Sequence, residues 1–190
     1  MKYPVFSPLL TASDIKAVAD CISDGWISSN GPYLKSFEDA FAAYIGVRYA
    51  STVSNGTAAL EVALAGLDIF EGEVILPAFT IASCAYAIQR VGCKPVFVDV
   101  DDRYFCLDPR KVEDAITNKT RAIMVVNMYG NTSDVDSFLQ LSSRFNIPIV
   151  EDCSENLGGL YRSCKSGSQF DVSTFSLYAN KTITSGEGGV

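Results

Sequence analysis

Three short stretches hold residue types that could do chemistry together. Lys181 lies in Thr174-Phe-Ser-Leu-Tyr-Ala-Asn-Lys-Thr-Ile-Thr-Ser-Gly-Glu-Gly-Gly189, a polar and glycine-rich run just past an apolar one. A lysine held at such a place can be partly desolvated, which suits it to act as nucleophile and base. Asp152 follows the apolar run 147–150 and opens the way to Cys-Ser-Glu155. A carboxylate at a strand end can meet a metal, a ribose hydroxyl or a protonated ring nitrogen, or it can cap the next turn. Ser54-Asn-Gly-Thr57 stands before a helical run. Free N–H groups and the helix dipole there favour a phosphate, and Gly56 lets a ligand approach the backbone closely. Singly, each stretch is more simply a cap or a surface lysine. Jointly they supply what pyridoxal 5′-phosphate (PLP) needs: a phosphate cradle, an acid for the pyridine nitrogen, and a lysine that attaches the cofactor and moves a proton.

Composition narrows the alternatives. The 190 residues contain no His, so His triads, imidazole bases and His-ligated metals are excluded, and no metal-ligand set is expected. Lys plus Arg is 15 against 22 Asp plus Glu, a net charge of −7, and no basic block stands out. Nucleic acid and anionic membranes are therefore not expected partners. No Walker A and no complete G-x-G-x-x-G is present. The six cysteines form no C-x-x-C pair. Residues 1–8 carry no apolar signal segment, so small buried thiols and a cytoplasmic location are expected. The Asn-x-Ser/Thr matches at Asn55, Asn118, Asn131 and Asn180 then lose their meaning. No run reaches the ~18–20 apolar residues of a membrane span.

The elements that must position these groups alternate strand and helix. Thr11-Ala-Ser-Asp14 fits a capping box with Ile15, Val18 and Ile22 at helical spacing behind it. Phe37, Phe41, Tyr44 and Ile45 make a second stripe, closed by Gly46. Strands are predicted over 49–53, 73–76, 95–100, 121–128, 147–150 and 171–177. Helices are predicted over 57–67, 81–90, after Asp108-Pro109, and after Ser133-Asp-Val-Asp136 read as another capping box. Six strands separated mostly by helices give an α/β fold: a mostly parallel sheet with helices on both faces. In such a sheet ligands sit at the carboxyl ends of the strands, where all three stretches fall.

At this point the residues resemble the DegT-type nucleotide-sugar aminotransferases, PLP-dependent enzymes of fold type I. The resemblance rests on Trp26-Ile-Ser-Ser-Asn-Gly-Pro-Tyr33, Ser54-Asn-Gly-Thr-Ala-Ala-Leu60, Leu76-Pro-Ala-Phe-Thr80, Val150-Glu-Asp-Cys-Ser-Glu155 and Phe175 to Gly189, in matching order over nearly the whole chain. It implies that Lys181 is the catalytic residue that holds the cofactor. Asp152 would pair with the pyridine nitrogen. Glu155 would lie beside the ring near its 3′-hydroxyl, where many relatives have Gln. Gly56 and Thr57 would give N–H groups to the phosphate, and Ser176 its hydroxyl. Phe79 and Ile81 would lie over the ring, Ile81 where many relatives have an aromatic residue. Ser28, Ser29 and Asn30 would contact substrate. Related 3-dehydratases have His in place of this lysine, so Lys181 favours aminotransfer. A His common in relatives is here Asn131.

Within the family the chain is most similar to the branch that aminates GDP-4-keto-6-deoxymannose with glutamate as donor. A nucleotide-sugar and an amino acid are the implied partners, and a homodimer is the implied full-length form. Relatives run to about twice this length. Residues 1–190 therefore read as an N-terminal segment plus an incomplete PLP-binding large domain, without a C-terminal small domain. The chain stops where a seventh strand should begin, between the first and sixth, which leaves sheet edges open. The alternative is a truncated, non-catalytic fragment that at most binds a ligand or partner.

Overall fold

The computed structural model describes residues 7–190. It divides into two compact units, Met1–Thr52 and Val53–Val190. In the first, α1 (Ala12–Ser23) begins with the expected capping box: the Thr11 N–H donates to Asp14 Oδ2 at 2.7 Å, and Thr11 Oγ1 accepts from the Asp14 N–H. Its apolar stripe is helical, yet Ile15, Val18 and Ile22 are each more than 60% exposed, so α1 has no buried residue. Helix α2 (Pro32–Ile45) starts with proline at its first turn and stops at Gly46, whose φ of 91° suits a residue without a Cβ. Glu38 on α2 accepts both the N–H and the hydroxyl of Thr52, at 2.8 and 2.9 Å.

The second unit is built on a parallel sheet. Its strands are β1 (Glu73–Pro77), β2 (Lys94–Val98), β3 (Thr120–Val126), β4 (Ile149–Asp152) and, after a short antiparallel hairpin of β5 (Leu160–Tyr161) and β6 (Cys164–Lys165), β7 (Val172–Thr174). The spatial order is β2-β1-β3-β4-β7. Side chains alternate across the pleat, so each central strand feeds two cores. Val74, Leu76, Met124 and Val150 pack with Leu64 of α3 (Gly56–Gly66) and Ile88 of α4 (Ala82–Arg90). Ile75, Ile123, Val125 and Ile149 pack with Val112 of α5 (Pro109–Ala115) and Phe138 of α6 (Val135–Phe145). Full burial of a side chain such as Phe138 stabilises by roughly 1.5–3 kcal/mol, which is what anchors α6. Covered on both faces, β1 and β3 read as continuous apolar runs.

Several expectations are corrected. The strand expected over 49–53 reduces to a single bridge at Val53, because a strand needs a partner along its length and among the described residues only Gly189 pairs with it. The strand expected over 171–177 shortens to β7. At Phe175 and Ser176 the pairing turns antiparallel: Phe175 and Val190 exchange two hydrogen bonds of 2.9 and 3.0 Å, and Val53 and Gly189 exchange another two. Gly189 and Val190 therefore lie between Val53 and Phe175, where an open edge is expected from the sequence. Ser133 does not cap α6. Its N–H and hydroxyl both donate to Asn127 Oδ1 at 2.9 Å, and Asp134 takes the cap instead, accepting from the Ser137 N–H. Cys84, Cys93, Cys106 and Cys153 are buried free thiols as expected, but Cys21 is half-buried and Cys164 exposed. Among the described residues no helix is long and apolar enough to cross a membrane.

Candidate active site

The carboxyl ends of β1, β3, β4 and β7 carry the candidate groups. At the start of α3, Asn55 Oδ1 accepts the Ala58 N–H at 2.9 Å and the Asn55 carbonyl accepts the Ala59 N–H. The N–H groups of Gly56 and Thr57 have no protein partner among the described residues, as the first turn of a helix leaves them. A Cβ on Gly56 would stand 3.0 Å from the Ser176 Cβ and 3.4 Å from its Oγ. Gly189 packs still closer, since its Cβ would fall 2.5 Å from the Asn55 carbonyl. The missing Cβ of Gly56 thus lets the Ser176 side chain approach the N-terminus of α3, where two N–H groups are free, and that of Gly189 lets its backbone pack on Asn55. That donor set fits a phosphate.

Asp152 ends β4 and is 3% exposed. Ser154 N–H donates to its Oδ1 at 3.0 Å and the Cys84 thiol donates to its Oδ2 at 3.3 Å. No Lys or Arg pairs with it among the described residues. A covered carboxylate held only by a backbone N–H and a thiol is costly, and a cationic partner relieves that cost. A protonated ring nitrogen meets the requirement, so the acid fits PLP as the cradle does.

Lys181 sits in the loop after Leu177, closed at its base where the Leu177 N–H donates to the Gly188 carbonyl and the Thr184 hydroxyl to that of Leu177. Only 18% of the Lys181 side chain is exposed, and its Nζ is 3.6 Å from Glu155 Oε1. The other Glu155 oxygen accepts the Tyr129 N–H at 3.1 Å. Tyr129 holds a left-handed φ of 52°, which aims that N–H, and its ring lies 6.0 Å from that of Phe79. Phe105, after β2, lies 5.8 Å from Phe79. Ile81 is the N-cap of α4 and is exposed. Asn131 donates to the Tyr104 carbonyl at 3.0 Å and so ties two strand-end loops together.

Contacts therefore link Lys181 to Glu155, link Phe79 through Tyr129 to Glu155, and link Gly56 to Ser176. Ser28, Ser29 and Asn30 are exposed residues of the loop between α1 and α2, in the other unit. Sequence reasoning missed Tyr129, Cys84 and Asn127. Tyr129 acts through its backbone, which leaves no signal in residue type. Asn127 does leave one, a polar residue closing the apolar run of β3. It is fully buried and donates to Glu151 Oε1 at 2.7 Å.

Comparisons with known proteins show the family and the fold. The profile described as the DegT/DnrJ/EryC1/StrS aminotransferase family matches residues 8–190. A GDP-perosamine synthase of Escherichia coli O157:H7 is 45% identical over 100% of this chain and 53% of its own length. A protein of the same name from Vibrio cholerae is 42% identical over 98% of the chain and 51% of its own. Among solved structures, 3-amino-5-hydroxybenzoic acid synthase superposes with a TM-score of 0.93 at 36% identity, over 98% of this chain and 49% of that one. The chain spans about half the length of these relatives.

Proposed function

We propose that this chain, which belongs to the DegT/DnrJ/EryC1/StrS aminotransferase family, forms the cofactor-binding part of a PLP-dependent enzyme that transfers an amino group to a keto nucleotide-sugar. Bound at the strand ends, PLP supplies the electron sink that lets an amino group leave a donor and join a keto carbon. The chain's own residues do the rest. Gly56, Thr57 and Ser176 hold the phosphate, and Asp152 keeps the ring nitrogen charged. Phe79 and Ile81 shield the ring from water. Lys181 attaches the cofactor through its Nζ and carries the proton during transfer. The covered Lys181 amine beside Glu155 is the observation that carries this reading.

The finer reading is amination of GDP-4-keto-6-deoxymannose to GDP-perosamine with glutamate as donor. Two observations support it: relatives named GDP-perosamine synthase are 42–45% identical, and a GDP-4-keto-6-deoxymannose-3-dehydratase with bound GDP-perosamine shares the fold at 28% identity. Lys181, where such dehydratases carry His, favours amino transfer over dehydration. Ser28, Ser29 and Asn30 are the proposed substrate contacts. The enzyme would work in the cytoplasm as a homodimer, with the small domain supplied by sequence beyond this chain. Borohydride reduction of the full-length protein with PLP, followed by peptide mapping, tests the core of the proposal. The label should fall on Lys181 and vanish in Lys181→Ala; label elsewhere, or none, would sink it.

A second reading follows from the span of about half the relatives' length: a fragment that binds ligand or partner without turnover. The DNA after codon 190 separates the two, since an in-frame continuation supports the enzyme and a stop codon the fragment.

A further inference from the structure

Cys84 lies on α4, is fully buried, and plays no part in the chemistry described above. Its sulfur is 3.3 Å from Asp152 Oδ2 and 3.2 Å from Thr80 Oγ1. A thiol has one proton. With that proton directed at Asp152, the sulfur can only accept from Thr80, so the Thr80 hydroxyl donates to Cys84 and Cys84 donates to Asp152. Burial first, and then the charge of Asp152, push the thiol pKa far up, so it stays a proton donor and is no nucleophile. The Ser154 N–H holds the other carboxylate oxygen at 3.0 Å. One donor alone would leave the carboxylate free to turn about its Cβ–Cγ bond. Two donors on different oxygens fix its plane, and each oxygen keeps a lone pair for a ligand.

We propose that Cys84 is a positioning residue: its thiol, oriented by Thr80, holds the Asp152 carboxylate in the plane from which it meets the ring nitrogen of PLP. The inference rests on the proposed function. It concerns the nitrogen contact alone, and this separates it from general support of the fold, because a merely structural cysteine would affect every ligand of the site alike.

The test measures dissociation constants for two ligands on the full-length protein. One is PLP. The other is its carbocyclic analogue, in which the ring nitrogen is replaced by C–H while phosphate, aldehyde and hydroxyl remain. Cys84→Ala should weaken PLP about tenfold, the worth of one hydrogen bond to a charged group, and leave the analogue unchanged. Cys84→Val, which keeps the volume filled without a donor, should do the same. Cys84→Ser, which restores a donor, should return PLP affinity to within about twofold of the unsubstituted protein. Equal weakening of both ligands, or PLP binding in the alanine and valine variants that matches the unsubstituted protein, would overturn the positioning role while leaving Lys181 labelling intact. A protein that shows no Lys181 label at all would overturn the cofactor reading and this inference with it.

Discussion

Glu151 and Asp152 are neighbours on one strand, and both are nearly fully covered, at 1% and 3% exposure. The pleat sends them to opposite faces of the sheet. Glu151 shares the face of Ile149, on the side of α5 and α6. Asp152 shares the face of Val150, on the side of α3 and α4. Around Glu151 the structure is complete: Asn127 donates to Oε1 at 2.7 Å, the Gly167 N–H to Oε2 at 2.9 Å, and Asn127 in turn accepts twice from Ser133. Around Asp152 there is one backbone N–H and one weak thiol donor. The first carboxylate ties the loop after β3 to the loop before β7. The second keeps acceptor capacity in reserve at a strand end. Burial alone therefore does not mark a functional acid; what distinguishes it is how strongly the protein itself holds it, an amide and a backbone N–H on Glu151 against a backbone N–H and a weak thiol on Asp152.

That contrast makes opposite predictions for the two residues. Asp152→Asn should lower the turnover of the full-length enzyme by about 10²–10³-fold, the cost of losing one preorganised electrostatic partner. It should change stability by less than about 1 kcal/mol, since the shape is kept and few hydrogen bonds are at stake. Steady-state kinetics and denaturant unfolding read the two sides. An Asp152→Asn enzyme that unfolds early but turns over normally would place Asp152 with Glu151 as a structural acid.

Glu151→Ala should do the reverse. It strands the Asn127 amide and the Gly167 N–H in a dry site and opens a void, at about 1–3 kcal/mol for each unpaired group. A loss of about 3 kcal/mol in unfolding free energy is expected, with PLP labelling at Lys181 kept at temperatures where the variant remains folded. Loss of labelling in a fully folded variant would show that the buried network positions the site after all.

How much of this was legible beforehand follows from where each residue's information lies. The alternation of apolar runs and amphipathic stretches gave the parallel sheet and the helices of both faces, because burial on two faces writes itself into residue type. The family resemblance put roles on Lys181, Asp152 and Gly56, and the structure brings Gly56 against Ser176 and Lys181 against Glu155. The strand expected over 49–53 does not form, because β-rich residues such as Tyr49, Thr52 and Val53 do not reveal whether a partner strand runs beside them. The cap at Ser133 was misplaced because its motif is local while its true partner, Asn127, is held by the distant Glu151. Period-two alternation from Ile149 sends Glu151 and Asp152 to different faces, and only the fold shows that one of those faces is closed by Asn127 and Gly167.

The smallest effect is the most specific to the contrast. Burial raises the Glu151 carboxyl above the usual range, and its donors, Cys153 first and then Asn127 and Gly167, pull it back only in part. A group whose folded pKa lies above its unfolded value, about 4.3 for glutamate, contributes stability that is fully present below that value. The contribution is lost as pH rises through the folded pKa, because the folded state must then hold a charge it solvates less well than water does. Glu151→Gln cannot titrate. The difference in Tm between the unsubstituted protein and Glu151→Gln should therefore favour the unsubstituted protein most at the acid end. It should shrink as pH climbs from about 4 towards neutrality. A difference that stays flat, or widens with rising pH, would mean that the three donors outweigh burial. Glu151 and Asp152 would then differ in the number of their partners alone and not in the charge each is built to carry.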